Sequence, residues 1–321
     1  MAELCGKGVW LAHSYDLQRA AEMATSIEAE YLMVKIGHGP HYFPETTRHM
    51  VQRVRTMGFR PLAWVQVTDR APQEALKAVV EGLTQGYEVL VLYLGEAMVT
   101  GNQVRPLAQA LNNVEIPRDR LFVASPPLAH LPDRQALEAL APICQGGWMP
   151  LCFAAWGNTP DQVIDREVYQ AIGDLSLLWD KTPEVHPVLS PLHSLKGPTF
   201  LAEEFIPWVE GITRHGVDFF SVYHAANTEK ALWPLLESVN IPCLETGERT
   251  PLIIEPETSP VSLVPQPVYI TVSTSDTVWA IITRYGLTKQ QFWAWNAHLW
   301  ESRGLPRDPD YLQEGWRIRV K

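Results

Sequence analysis

Long apolar segments are absent from this chain of 321 residues. No run approaches the roughly 18 apolar residues that a membrane-spanning helix needs. The first residues also lack the basic start and apolar stretch of a secretory signal, which predicts synthesis in the cytoplasm without export by the usual route. The sequence therefore predicts a globular protein with no membrane span.

Cysteine is scarce, and basic residues are outnumbered. Neither a CxxC pair nor metal-ligand spacing occurs among Cys5, Cys144, Cys152 and Cys243, so we expect buried free thiols, no metal and no other cofactor. Asp and Glu total 36 against 26 Lys and Arg, which gives a net charge of −10. This acidic balance argues against nucleic acid as a partner.

Familiar catalytic motifs are missing as well. No GxGxxG or P-loop follows any predicted strand, and no GxSxG elbow occurs. His38 and His41 are separated by Gly-Pro, but catalytic zinc needs a third protein ligand and none is assigned. For Lys35, on a predicted strand, two roles stay open, a Schiff base or an ion pair with a carboxylate such as Glu96.

Apolar runs and amphipathic helical patterns alternate over roughly 240 residues, the length of a (β/α)8 barrel. The predicted strands are Gly8–Ala12, Tyr31–Ile36, Pro61–Val67, Val89–Leu94, Leu121–Ala124, Trp148–Ala154, Pro187–Leu189 and Asp218–Val222. The predicted helices are Gln18–Ala29, Thr46–Met57, Pro72–Thr84, Val104–Asn112, Arg134–Ala141, Asp165–Ile172, Leu201–Arg214 and Thr228–Ser238. The fold class is therefore α/β, a TIM-like barrel over residues 1–241, and an open doubly wound sheet is the alternative.

In such a barrel, chemistry takes place at the carboxyl ends of the strands. The residues predicted to line a pocket there are aromatic or polar and suit a sugar ring: Lys35, His38, Trp64, Tyr93, Trp156 and Tyr223. Residues 242–267 follow as a linker, in which the five prolines from Pro251 to Pro267 favour extended chain.

The last segment, residues 268–321, predicts a small β-α-α-β unit. A β-branched run at 269–272 is followed by a helical pattern from Asp276 to Tyr285, a second helix towards Asn296 and a closing strand near Trp316. This segment holds seven Lys and Arg against five Asp and Glu, which leaves 19 against 31 for the rest of the chain. The segment is thus near +2 and the larger part near −12.

This segment resembles the LysM module. The resemblance is carried by Asp276-Thr277-x-Trp279, Tyr285-Gly286-Leu287-Thr288, Asn296, Asp310, Leu312, Gly315 and Ile318. LysM modules bind N-acetylglucosamine polymers such as peptidoglycan and chitin, so the resemblance implies a cell-wall glycan as partner. The residues that it implies for glycan contact are Ser275, Asp276, Thr277, Asn296, Trp300 and Tyr311. Five tryptophans exceed what so small a unit can bury, which predicts at least one exposed ring.

The larger part resembles, more distantly, lysozyme-type glycoside-hydrolase barrels. The resemblance is carried by Val34–Gly39, Gly58–Trp64, Glu96 and the stretch from Met149 to Trp156. It implies Glu96 as a general acid, but the aspartate that such barrels carry two residues earlier is Leu94 here. A second carboxylate would come from Asp16 or Asp69. We therefore expect weak or no hydrolytic activity.

Three functions follow as hypotheses. The first is recognition of peptidoglycan by a LysM module attached to this barrel, with the cell wall as the place of action. The second is a structural connector in a phage tail or contractile injection particle, with protein partners. The third is an active muramidase.

Overall fold

A computed structural model describes most of the larger part of the chain and a portion of the smaller one. The described residues are 4–68, 72–94, 100–131, 133–155, 159–192, 199–241, 269–272, 278–285, 287, 291–293, 295–296, 299 and 316–320. The chain forms two compact units, Met1–Cys243 and Leu244–Lys321. The predicted linker at 242–267 lies outside the described residues.

Eight parallel strands of the first unit close into a barrel, which confirms the predicted fold class. The strands are β1 Gly6–Leu11, β2 Tyr31–His38, β3 His41–Tyr42, β4 Arg60–Gln66, β5 Leu90–Tyr93, β6 Leu121–Ser125, β7 Gly147–Cys152, β8 Val188–Leu189 and β9 Phe219–Val222. Closure comes from β1, which pairs with β2 on one side and with β9 on the other. Strand β3 stands outside this ring, because it runs antiparallel to the end of β2.

Helices follow the strands and surround the barrel. They are α1 Leu17–Ser26, α2 Pro44–Thr56, α3 Pro72–Gln85, α4 Gly101–Asn112, α5 Arg134–Leu140, α6 Ile172–Trp179, α7 Ala202–Thr213 and α8 Trp233–Glu237. None of the described helices is long and apolar enough to cross a membrane.

Three features differ from the sequence-based expectation. The β3 hairpin was not predicted, and His38 and His41 are paired across it. The predicted helix at 165–172 is instead a π-helix, Asp161–Tyr169, followed by the unpredicted α6. The last predicted helix is shorter, because Lys230–Leu232 forms a 3₁₀ turn before α8.

Side chains of each strand alternate between two apolar layers. In β1, Val9 and Leu11 pack outward against the helices, whereas Trp10 points into the barrel. The interior is filled by large rings, among them Trp64, Tyr93 and Phe122, each fully buried. Trp10 and Trp64 satisfy their ring N–H groups by donating to Ser221 Oγ at 2.8 Å and to the Leu11 carbonyl at 3.1 Å.

Side-chain caps fix the ends of the surrounding helices. Asp133 accepts from the backbone N–H of Gln135, at the start of α5, and from that of Gly101, at the start of α4. These two bonds lower the pKa of Asp133. Lys7, which is 4% exposed, donates from Nζ to the carbonyls of Ile27, Leu236 and Glu237 at 2.8–3.0 Å. One lysine therefore joins the end of α1 to the end of α8.

The second unit is built on two short antiparallel strands, β10 Tyr269–Thr271 and β11 Arg317–Arg319. One helix, α9 Val278–Tyr285, and further helical residues near 291–296 pack on this sheet. The unit has its own apolar core, which includes Val278, Ile281, Phe292, Trp316 and Ile318.

One expectation about cysteine is wrong. Cys144 and Cys152 are buried free thiols, as predicted, and burial raises the pKa of both. Cys5, however, is disulfide-bonded. The sequence did not indicate this, because no short-range cysteine spacing marks the bond.

Candidate functional site

Aromatic rings from four strand ends meet at the carboxyl end of the barrel. Trp10, Trp64, Tyr93 and Tyr223 have ring centres 5.3–6.0 Å apart, and Tyr93 and Tyr223 are stacked with an interplanar angle of 6°. The structure thus brings together three of the predicted pocket residues, Trp64, Tyr93 and Tyr223. It adds Trp10, which the alternation of β1 could have revealed.

These rings fill the barrel instead of lining an open pocket. Trp10, Trp64 and Tyr93 are 0% exposed, and Tyr223 alone is half-buried. For Trp64 and Tyr93 the predicted role is therefore corrected: they form a packed aromatic floor below the mouth. Trp156, also predicted for this pocket, lies outside the described residues.

Lys35 lies directly above that floor. Its Nζ is 4.7 Å from the centre of the Trp64 ring, donates to Gln66 Oε1 at 2.9 Å, and lies 3.4 Å from Nδ1 of His38. Lys35 and His38, both predicted for the pocket, are therefore neighbours. Gln66 is 6% exposed and orients the ammonium group. A cation over an indole face is a stable arrangement in a partly dry setting.

Three histidines at the mouth are held towards their neutral form. Burial, and then the charge of Lys35, lowers the pKa of His13 and of His38. The pKa of His224 is lowered to about 4, mainly by burial and then by the positive charges of His13 and Lys35. Among the described residues, Nδ1 of His224 is buried without a hydrogen-bond partner. The described part of the mouth is thus rich in basic groups.

The loop that carries His224 is fastened to α1. Arg19 donates from Nε to the Ala225 carbonyl and from a terminal nitrogen to the Thr228 carbonyl, both at 2.8 Å. Asn227 lies 3.2 Å from Nε2 of His224. Sequence analysis missed Arg19, because nothing in a helical pattern indicates which loop an arginine reaches.

Asp16 is the one candidate carboxylate that the described residues include. It is half-buried just after β1, and burial raises its pKa, although the backbone N–H of His13 and the charge of Arg19 oppose that shift. One of its oxygens is buried without a hydrogen-bond partner in the described part of the chain. A carboxyl group with a raised pKa is suited to donating a proton. Glu96 and Asp69 lie outside the described residues, so the predicted pairing of carboxylates stays a prediction.

An open groove of about 400 Å³ lies elsewhere on the first unit. Residues of α4, α5 and the turn after α5 line it, among them Arg105, Gln109, Asn112 and Glu138. None of the predicted site residues contributes to it. It also brings no two carboxylates together, so it offers no alternative catalytic centre.

In the second unit, Asn296 has a structural role in place of the predicted contact with glycan. It is 1% exposed, and its amide donates to the carbonyls of Phe292 and Arg319 and accepts from the Arg319 N–H, at 2.8–3.0 Å. These bonds join the second helical segment to β11. The other residues predicted for glycan contact, Ser275, Asp276, Thr277, Trp300 and Tyr311, lie outside the described residues.

Comparison with known proteins gives the second unit its identity. The family model for the LysM domain matches residues 270–321. This unit is a LysM domain. Of the tryptophans whose side chains the structure describes, Trp316 is 6% exposed within the core, and Trp293 and Trp295 are half-buried at its edge. Comparison with curated proteins found no match to this sequence.

The barrel has the fold of solved chitinases. The catalytic domain of a hyperthermophilic chitinase from Pyrococcus furiosus covers 73% of this chain and 93% of its own, with 12% identity and a TM-score of 0.53. Catalytic-site mutants of active domain 2 of the thermostable chitinase from the same organism, complexed with chito-oligosaccharides, give the same coverage and identity with a TM-score of 0.52. At this identity the likeness concerns the fold alone.

Proposed function

We propose that this protein recognises cell-wall glycan built on N-acetylglucosamine, and that its LysM domain makes the contact. The observation that carries the proposal is the match of residues 270–321 to the LysM domain. The match runs from the second residue of β10 through α9 to β11. The barrel accompanies it with weak or no hydrolytic activity.

The fold of the barrel supports the same class of ligand. Both similar structures from Pyrococcus furiosus are chitinases, and one of them holds chito-oligosaccharides, which are N-acetylglucosamine polymers. Leu94, which the sequence resemblance aligns with an aspartate of hydrolytic barrels, is 3% exposed and supplies no charge. Hydrolysis of a glycoside normally needs two carboxyl groups across the scissile bond. We therefore place recognition ahead of catalysis.

The disulfide bond at Cys5 supports action at the cell wall. Disulfides persist in oxidising surroundings and are rare in the reducing cytoplasm. A protein that binds wall glycan works outside that compartment. The bond thus agrees with the proposed place of action, whatever route the chain takes to reach it.

Sedimentation with insoluble glycan tests the proposal. The full chain should sediment with purified peptidoglycan and with chitin, and not with cellulose, which lacks the N-acetyl group. A chain ending at residue 267, checked for folding by circular dichroism, should stay in the supernatant. A well-folded full chain that sediments with neither peptidoglycan nor chitin would remove the glycan proposal, and the connector hypothesis would then take its place.

Hydrolysis is the second candidate, and the setting of Asp16 favours it. A half-buried carboxyl group with a raised pKa near the mouth resembles the proton donors of glycosidases. We expect the wild type to cause little loss of turbidity in a cell-wall suspension. Rapid clearing that is abolished in Glu96→Gln or Asp16→Asn would establish an active muramidase, since general acid catalysis contributes about 10²–10⁴-fold.

A further inference from the structure

The two-stranded sheet of the LysM domain has one face turned away from its core. In the register of the strands, Tyr269 is opposite Arg319, Ile270 opposite Ile318, and Thr271 opposite Arg317. Side chains alternate along a strand, so the central isoleucine pair and the four flanking residues lie on opposite faces. Ile318 is fully buried in the core. The outer sheet face therefore consists of Tyr269, Thr271, Arg317 and Arg319.

The guanidinium groups of both arginines lie over aromatic rings, that of Arg317 on this face and that of Arg319 at the edge of the core. The Arg317 guanidinium carbon is 4.8 Å from the centre of the Tyr269 ring, and that of Arg319 is 4.8 Å from the centre of the Trp295 ring. Tyr269 is 45% exposed, and Arg317 is exposed as well. Stacking leaves the N–H edges of a guanidinium pointing sideways, where they can bond a planar anion.

The backbone under these arginines is fixed from within the domain. Asn296 bonds both the N–H and the carbonyl of Arg319, and Ile318 is inserted in the core beside it. Stacking on rings restricts the side chains in addition. Because less conformational freedom is lost on binding, an arginine held in this way binds an anion more tightly than a mobile arginine would.

We propose that the outer sheet face binds carboxylate groups of the wall glycan, so that the LysM domain favours peptidoglycan over neutral chitin. Arginine forms paired hydrogen bonds with carboxylates, and the exposed Tyr269 ring can stack on a sugar. The net charge of this segment also favours an anionic ligand, because residues 268–321 hold seven Lys and Arg against five Asp and Glu, a balance of +2. The inference rests on the proposed function and adds the chemistry that distinguishes one N-acetylglucosamine polymer from another.

The test measures binding of the full chain to three solids: peptidoglycan, peptidoglycan whose carboxylates have been amidated, and chitin. Wild type should bind untreated peptidoglycan best, and amidation should lower its affinity to the level seen with chitin. Arg317→Gln should weaken binding to untreated peptidoglycan about threefold, and Arg317→Gln with Arg319→Gln roughly tenfold, as expected for exposed ion pairs. Binding to chitin should stay within about twofold in both variants.

The matched control is Arg284→Gln, which removes the same charge from the same domain. Arg284 lies in the last turn of α9, outside the sheet face. It should leave the preference for peptidoglycan unchanged, and Arg317→Lys should restore only part of the affinity. Equal binding of wild type and the double variant to peptidoglycan, with no effect of amidation, would overturn the inference while leaving glycan recognition intact. Failure of the wild type on all three solids would instead remove the proposed function, and the inference with it.

Discussion

At the scale of single residues, the mouth of the barrel holds its histidines towards their neutral forms. His224 has Lys35 and His13 as electrostatic neighbours and is largely removed from water. Each added positive charge makes the next protonation less favourable, because the mouth is partly dry and screening is weak. His224 therefore stays neutral in the folded chain at a pH where an unfolded chain would protonate it.

This difference predicts a pH-dependent loss of stability. The pKa of His224 falls from its ordinary value of 6.5 to about 4 on folding. Between these values the unfolded state binds a proton that the folded state refuses, so stability is complete above about pH 6.5 and declines as the pH falls towards 4. We expect His224 to account for about 2 kcal/mol of the unfolding free energy lost on going from pH 7 to 4.5. Urea unfolding at both pH values measures this loss.

The control variants separate His224 from other titrating groups. His224→Gln should lose less stability between the two pH values than the wild type does. His49→Gln should follow the wild type, because His49 lies exposed on α2 with a side chain that is 69% accessible. If the ring protons of His224 titrate near pH 6.5 in an NMR experiment, burial does not hold this histidine neutral.

At the scale of elements, helix α3 is packed so closely on the barrel that a single methyl group would not fit. A Cβ placed on Gly82 would lie 2.8 Å from Cδ1 of Leu90 and 2.9 Å from Cδ1 of Ile36. Both of those side chains are 0% exposed, so neither has room to turn away. Gly173 in α6 is the opposite case, because nothing lies within 4 Å of its Cβ position.

Two alanine substitutions should therefore act in opposite directions. Gly82→Ala gains up to about 1 kcal/mol of helix propensity but incurs about 1–3 kcal/mol of overpacking, so we expect a net loss. Gly173→Ala gains helix propensity without any overpacking, so it should raise the unfolding free energy by about 0.5–1 kcal/mol. Urea unfolding of both variants measures the two effects. Equal stabilisation by both would show that α3 lies farther from β2 and β5 than the structure places it.

The elements show what the sequence can predict and what it cannot. Eight strands and most of the helices follow from apolar periodicity, because burial between two layers imposes it on every strand. The π-helix at Asp161–Tyr169 has no such signal, because it is held by contacts with a distant residue. Nε2 of His215 lies 2.5 Å from Oδ1 of Asp165, and the His215 ring stacks on Tyr169. Asn296 belongs to the sequence motif of its domain, yet the motif does not indicate that its amide bonds the backbone of Phe292 and Arg319.

The same limit applies to the candidate site. Strand-end positions predicted a pocket lined by Lys35, His38, Trp64, Tyr93 and Tyr223, but Trp64 and Tyr93 are buried inside the barrel below the other three. Whether a ring lines a pocket or fills it depends on side-chain volume within a closed barrel, which periodicity does not encode. Arg19 bonds carbonyl groups 206 and 209 residues further along the chain, and no cysteine spacing marks the disulfide bond at Cys5, so a single sequence carries no sign of either.

At the scale of the whole molecule, two units of different size and charge share one chain. The first has aromatic rings packed inside a closed barrel, and the LysM domain has a separate small core. Residues 268–321 are near +2 and the remainder near −12. An anionic wall thus attracts the segment 268–321 and repels the remainder of the chain, over a distance of about 10 Å at 0.1 M salt. Recognition by this protein should therefore depend on the LysM domain at short range.

Calorimetry with a soluble ligand should show which unit binds. Two unfolding transitions are expected, with enthalpies of about 170 kcal/mol for a barrel of roughly 240 residues and about 35 kcal/mol for a domain of roughly 50. A chito-oligosaccharide at about 100 times its Kd stabilises the unit that binds it by about 2.7 kcal/mol. We expect this ligand to raise the smaller transition by at least about 10 °C and to leave the larger one in place. A cello-oligosaccharide of equal length, which has no N-acetyl groups, should move neither. If the larger transition rises with the chito-oligosaccharide, the barrel itself holds the sugar, and recognition cannot be assigned to the LysM domain alone.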